Sequence, residues 1–331
     1  MKIAIINSSS FGQNFPEHIE QLEQYGTVER FTVPTHTPAK ELAELLADHE
    51  IIISSVTPFF TREFFELKQN LKLISRHGIG YNNIDMQAAT EYGVPVTIVS
   101  PEVENDAVAE NAAAILLANM RKVLPAEQAT KTSNWAKRNT FLGRQVREKT
   151  VGVIGFGNIG SRVGEIMYGG FKTRLLVFDP YATPERLALP GVEQVELDYL
   201  LENSDIISLN AKITGESKYM ISDREFNLMK DGVYIVNTAR GELFDEDALC
   251  RALDSGKLAG VSMDVVENEP IDGTHRLLTY DNVIITPHTS AYTAECLYEM
   301  GNKCVSDVVN LLTGKELQVQ VNPEVKVLQT V

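Results

Sequence analysis

Three glycines, Gly155, Gly157 and Gly160, stand at G-x-G-x-x-G spacing, directly after the apolar run Val151–Ile154 and at the mouth of a helical pattern. In that context Gly155 permits a tight turn, Gly157 lets the backbone approach a pyrophosphate and Gly160 lets the helix pack closely on its strand. The helix mouth at Asn158, Ile159 and Gly160 offers free N–H groups and a favourable dipole to phosphates. Nineteen residues beyond Gly160, Asp179 ends the next apolar strand, where an acid accepts from ribose hydroxyls and repels a 2′-phosphate. Pro180, Tyr181 and Ala182 follow it and supply no cation, so NAD is expected over NADP. A glycine-rich turn with an ordinary strand-end acid is the bland alternative; the coincidence of glycines, strand, helix and acid weighs against it.

A second group of residues supplies acid–base chemistry. Arg240 ends the strand containing Val233–Asn237 and precedes Gly241, Glu269 follows the strand that closes near Asp264, and His288 follows Val283–Thr286 and Pro287. Ligands of open parallel sheets bind outside the carboxyl ends of the strands, so all three are expected to face one crevice, with Thr238 and Ala239 on its cofactor side. A cation there can hold a carboxylate and polarise a carbonyl, while an imidazole protonates the developing alkoxide. A carboxylate beside the imidazole favours its charged form, which makes Glu269 and His288 a plausible acid couple. Taken singly, each residue has a bland reading: a surface turn, a solvated glutamate, a loop histidine.

The elements that must position these groups fall into two series. Strands are expected at Lys2–Ile6, Val28–Val33, Ile51–Ser54, Leu71–Ser75 and Val94–Ile98, with helices at Phe15–Gln24, Ala39–Ala47, Thr61–Gln69 and Ile84–Tyr92 between them. That alternation implies βαβ units and a smaller flavodoxin-like α/β domain. Six further strands, at Val151–Gly155, Leu175–Phe178, Asp205–Leu209, Val233–Asn237, Ala259–Met263 and Val283–Thr286, fit a Rossmann-type doubly wound parallel sheet. The Ala-rich segment Glu102–Met120 reads as a helix crossing between domains, capped by Asn105 or Asp106. A second helix, Ala294–Leu312, returns the chain. The expected division is 1–101 plus 290–331 for a substrate domain and 102–289 for an NAD domain.

Bulk properties restrict the partners. The 331 residues exceed what one core usually spans, and the net charge of -15 repels a phosphate backbone, so nucleic acid is not expected. The N-terminal apolar run is too short for a signal-peptide core and no stretch reaches bilayer length, which gives a cytoplasmic expectation with no membrane partner. Cys250, Cys296 and Cys304 are odd in number and widely spaced, as expected for idle buried thiols; no metal site is read.

Over nearly its full length the sequence resembles the D-isomer-specific 2-hydroxyacid dehydrogenase family. Asn237–Gly241 matches its arginine motif, Asp264–Pro270 its acidic motif and Thr286–His288 its histidine motif. The resemblance implies that Arg240 binds and polarises a 2-oxo acid, His288 is the acid/base, Glu269 tunes His288 and Asp264 holds the nicotinamide carboxamide. Arg76–Asp85 resembles the family's substrate loop, where amides near Gly78, Ile79 and Gly80 would grip the substrate carboxylate, and two glycines at a strand end suit such a nest. His77 is a pocket residue or a mere loop histidine. The pattern is broken at Asn210 and Lys212, where the family usually has His and Pro, and at Asn82, where Asp is common.

The run Thr286–Thr293 looks like the D-lactate dehydrogenase branch, in which Phe59, Phe60 and Tyr292 would shape a small apolar pocket, or else simply pack in cores. Reduction of pyruvate to D-lactate and its reverse is the expected activity, with hydroxypyruvate, glyoxylate or longer 2-oxo acids as alternatives. The chain ends soon after its last helix, which speaks against the regulatory extension of longer phosphoglycerate dehydrogenases, and Glu269 speaks against the formate branch. An NAD(H)-sensing corepressor of the same fold is the alternative from another class. The Ala-rich helix exceeds what an exposed crossing needs, so a homodimer is expected.

Overall fold

The computed structural model describes residues 1–326; the last five positions of the expected first domain lie outside them. The chain divides into two compact units, Met1–Val103 with Thr293 onward, and Glu104–Tyr292.

The first unit holds a five-stranded sheet of β1 (Lys2–Ile6), β2 (Thr27–Phe31), β3 (Ile51–Ser54), β4 (Leu73–Arg76) and β5 (Val96–Thr97), all parallel and ordered β2-β1-β3-β4-β5. This is the flavodoxin-like order. The central strands β1 and β3 are apolar on both sides because each side is covered. Ile3, Ile5, Ile51, Ile53 and Leu73 pack with Cys304, Val305 and Val308 of the helix Ala294–Leu312. Their neighbours Ala4, Ile6, Ile52 and Ile74 pack with Leu42, Phe60, Phe64 and Ala88 on the other face. Asp307, buried in that first face, accepts through Oδ2 from Ser75 Oγ at 2.6 Å, Thr97 Oγ1 at 2.5 Å and Lys303 Nζ at 2.6 Å, so the buried charge is paired with a cation and two hydroxyls.

The second unit holds seven parallel strands: β6 (Thr150–Ile154), β7 (Arg174–Phe178), β8 (Val192–Gln194), β9 (Ile206–Leu209), β10 (Val233–Asn237), β11 (Leu258–Met263) and β12 (Val283–Ile285). Their order, β12-β11-β10-β9-β6-β7-β8, reverses direction between β6 and β9, and that is the topological switch point. The short edge strand β8 is the one that apolar patterning does not reveal, because its Val-Glu-Gln is mostly exposed.

The helix Pro101–Met120 starts earlier than its expected caps, which places Asn105 and Asp106 inside it; Asp106 instead accepts from Arg162 Nε at 2.6 Å. Its apolar side is covered by its own chain, since Ala109, Ala112, Ile115, Leu116 and Met120 pack with Val151, Val153, Phe156, Val163 and Met167. The burial once reserved for a partner subunit is therefore intrachain. No helix of the described residues is long and apolar enough to cross a membrane, and all three cysteines are buried and free.

Candidate active site

Gly155 closes β6 in the left-handed region at φ 84, and a Cβ there would meet Ala211 N at 2.6 Å. At Gly160 a Cβ would meet Gly155 O at 2.0 Å, so the helix Asn158–Phe171 can approach β6 only without that side chain. Gly157 caps the helix with no side-chain acceptor, and around its missing Cβ the space is open to 3.9 Å, where Arg186 Nη1 stands. Asp179, at the end of β7, accepts from Phe156 N at 2.7 Å and Tyr181 N at 2.8 Å. Its carboxylate is thereby fixed beside the glycine turn while each oxygen keeps a lone pair.

Two buried polar atoms face no partner among the described residues at the same sheet edge: Thr238 Oγ1 after β10 and Asn210 Oδ1 after β9. Buried polar atoms are rarely left unpaired unless a ligand or water completes them. The cradle, the uncapped helix and these two orphaned acceptors fit a dinucleotide. The Ala239 amide, by contrast, is taken by Asn237 Oδ1 at 3.0 Å. Asn210 Nδ2 donates to Ser208 Oγ at 3.0 Å, and the exposed Lys212 gives its carbonyl to Ser217 Oγ at 2.6 Å.

Arg240, Glu269 and His288 stand on loops after β10, β11 and β12. His288 Nδ1 lies 2.7 Å from Glu269 Oε2, and Val266 N donates to Glu269 Oε1 at 2.9 Å. Burial disfavours the charged carboxylate of Glu269, but the bond and charge of His288, the Val266 amide and the Arg240 charge together hold its pKa below the ordinary glutamate range. The half-buried Arg240 donates Nη1 to the Ala239 carbonyl at 2.7 Å. Gly241 follows because the next loop passes over it: a Cβ there would meet Val266 C at 2.1 Å and Glu267 N at 2.2 Å. The glycine after the arginine thus lets the Arg240 and Glu269 loops touch.

Asp264 is spent on positioning. Its Oδ1 accepts from Thr286 Oγ1 at 2.5 Å and Thr289 N at 2.9 Å, its Oδ2 from Ser290 N at 2.7 Å, and its carbonyl from His288 N at 3.0 Å. With 1% of its surface exposed, it anchors the loop that carries His288. The anchoring is needed because His288 sits at φ 54, a left-handed conformation that non-glycine residues adopt at a cost of about 1–3 kcal/mol when the surroundings impose it.

In the first unit, Arg76 donates to Gly80 O at 2.6 Å and His77 O at 2.9 Å, while Val99 N takes Gly78 O at 3.1 Å. Because trans peptide N–H and C=O groups point oppositely, the amides of Gly78, Ile79 and Tyr81 are turned away from those donors. His77 does not share that outlook. Its ring is buried edge-on against Phe11 at 5.3 Å, and burial with the Arg76 charge pushes its pKa down to about 3, so it is neutral, with Nε2 unpartnered among the described residues. Phe60 is likewise fully buried among Phe64, Ile52 and Ile74, a core residue and not a pocket wall, whereas Phe59 and Tyr292 are exposed.

A dinucleotide cradle at the switch point beside a carboxylate–imidazole pair and an arginine defines a nicotinamide-dependent oxidoreductase site. The chain belongs to the D-isomer specific 2-hydroxyacid dehydrogenase family, and residues 113–290 match the family model of its NAD binding domain. It is 37% identical over 290 residues to a D-3-phosphoglycerate dehydrogenase of Archaeoglobus fulgidus, with 88% of this chain aligned but only 54% of that protein, so this chain spans about half of that relative. A glyoxylate reductase of Thermococcus litoralis is 32% identical over 92% of this chain and 93% of its own. The apo structure of D-lactate dehydrogenase from Escherichia coli superposes with a TM-score of 0.83 at 33% identity, covering 97% of this chain and 100% of that one.

Proposed function

We propose that the chain reduces a short, unphosphorylated 2-oxo acid to its D-2-hydroxy acid, with pyruvate and D-lactate as the pair. The 2.7 Å His288–Glu269 bond carries the reading. Bound NADH supplies the hydride. Arg240 holds the substrate carboxylate and polarises the carbonyl, and His288 passes a proton from Nε2 to the carbonyl oxygen. Glu269 keeps Nδ1 protonated and orients the ring, while Asp264 holds the loop on which His288 stands. Tyr292, exposed four residues past His288, favours an uncharged substrate side chain over a phosphate.

The family relatives named for glyoxylate and phosphoglycerate make the side chain the open choice, so NADH consumption is measured with pyruvate, glyoxylate, hydroxypyruvate and longer 2-oxo acids. A kcat/KM highest for pyruvate with D-lactate as product supports the assignment; glyoxylate or hydroxypyruvate ahead of pyruvate refutes it. Tight NADH binding with no turnover of any of them indicates a sensor instead. We also propose that the chain pairs with a second copy through the segment 123–142, where Leu124, Trp135 and Leu142 stay exposed. Sedimentation as a monomer at micromolar concentration overturns that pairing.

A further inference from the structure

We propose that Arg186 clamps the diphosphate of the dinucleotide from above the glycine loop. Arg186 stands on the short helix Pro184–Leu187 beyond β7, seven positions past Asp179. Its Nη2 donates to Asn158 Oδ1, and its Nη1 stands 3.9 Å from the Cβ position of Gly157. Asn158 is the first residue of the helix whose amides lack a side-chain cap, so one hydrogen bond fixes a cation at that mouth. Arg162, Arg174, Arg224, Arg251 and Arg276 of the same unit are each paired with a carboxylate; Arg186 makes no ion pair among the described residues. Its charge is unspent, and a guanidinium fork suits phosphate oxygens. The 2′-position of the ribose is an unsuitable target, because the fixed Asp179 carboxylate would repel a phosphate there.

The clamp therefore adds affinity for NAD without opening the site to NADP. It rests on the NAD domain and not on the choice of 2-oxo acid. Calorimetric titration of the full chain separates the parts with ADP-ribose, adenosine and 2′-phospho-ADP-ribose as probes. Arg186→Ala is expected to weaken ADP-ribose roughly tenfold to a hundredfold, less at high salt, with adenosine affinity unchanged. Arg186→Gln, which removes the charge but keeps a polar amide, should show the same loss with the unliganded melting temperature preserved. Unchanged ADP-ribose affinity, an equal loss for adenosine, or a larger loss for the 2′-phosphorylated probe overturns the clamp. A wild-type chain that fails to bind ADP-ribose overturns the dinucleotide site and the clamp together.

Discussion

Replacing Glu269 by Gln tests the acid couple at a single atom. Glu269 Oε1 accepts from Val266 N at 2.9 Å, and only an oxygen can keep that bond, so the new amide must turn its NH2 toward His288 Nδ1. A charge-assisted bond of 2.7 Å is replaced by a donor facing a donor whenever His288 is charged. Losing the charge assistance alone costs about 1 kcal/mol for a pair this open to solvent, with side-chain exposures of 37% and 31%. The donor clash raises the cost toward about 3 kcal/mol, so kcat should fall between roughly fivefold and a hundredfold. NADH affinity should hold, because neither residue belongs to the glycine cradle. A kcat within about twofold of wild type would refute the assignment of Glu269 to His288. The pH dependence has a definite sign: the folded Glu269 carboxyl titrates below its unfolded value, so its stabilisation is complete above the unfolded value and lost as pH falls through the folded one. The melting-temperature gap between wild type and Glu269→Gln should close on that acid side and stay open at neutral pH.

Arg240→Ala should cut turnover by roughly a hundredfold or more while leaving NADH affinity nearly intact; a wild-type rate rules it out as the substrate cation. Asp179→Ala should weaken discrimination against NADPH in direct titration, and an unchanged NADH/NADPH ratio would mean that Asp179 does not read the ribose. Phe60→Ala should destabilise the chain by about 3–5 kcal/mol in urea unfolding, whereas the exposed Phe59→Ala costs little; equal effects would contradict the core placement of Phe60. Gly241→Ala should lower both melting temperature and kcat, since its Cβ would strike the Val266 backbone; a fully active, stable variant would show that the two loops need not touch.

What was legible in the sequence was whatever repeats with a short period. The isoleucines of β1 and β3 are buried on both faces and read as unbroken apolar runs, and the helix Ala294–Leu312 announces itself by its spacing, whereas its N-cap Thr293, whose hydroxyl accepts from Cys296 N, is seen only in the structure. The glycine fingerprint was legible because close approach leaves no other residue possible at Gly155 and Gly160. The assignments that changed depend on which way a side chain turns. His77 and Phe60 occupy loop and strand-end positions from which either direction is open, and burial against Phe11 and Phe64 decides it. The spacing that puts Asp264 one residue past β11 likewise says nothing of the three donors at Thr286, Thr289 and Ser290 that fix its carboxylate.

Arg186 shows the same limit from the other side. The residues directly after Asp179 contain no cation, yet a turn of helix brings one back over the glycine loop. Pattern spacing registers what a strand end must contain, because the sheet fixes it. It does not register a side chain long enough to return from the next element. An arginine spans that gap because its stem is flexible and its head is rigid, so a phosphate site built on invariant backbone geometry can still take its cation from a position that no fingerprint specifies.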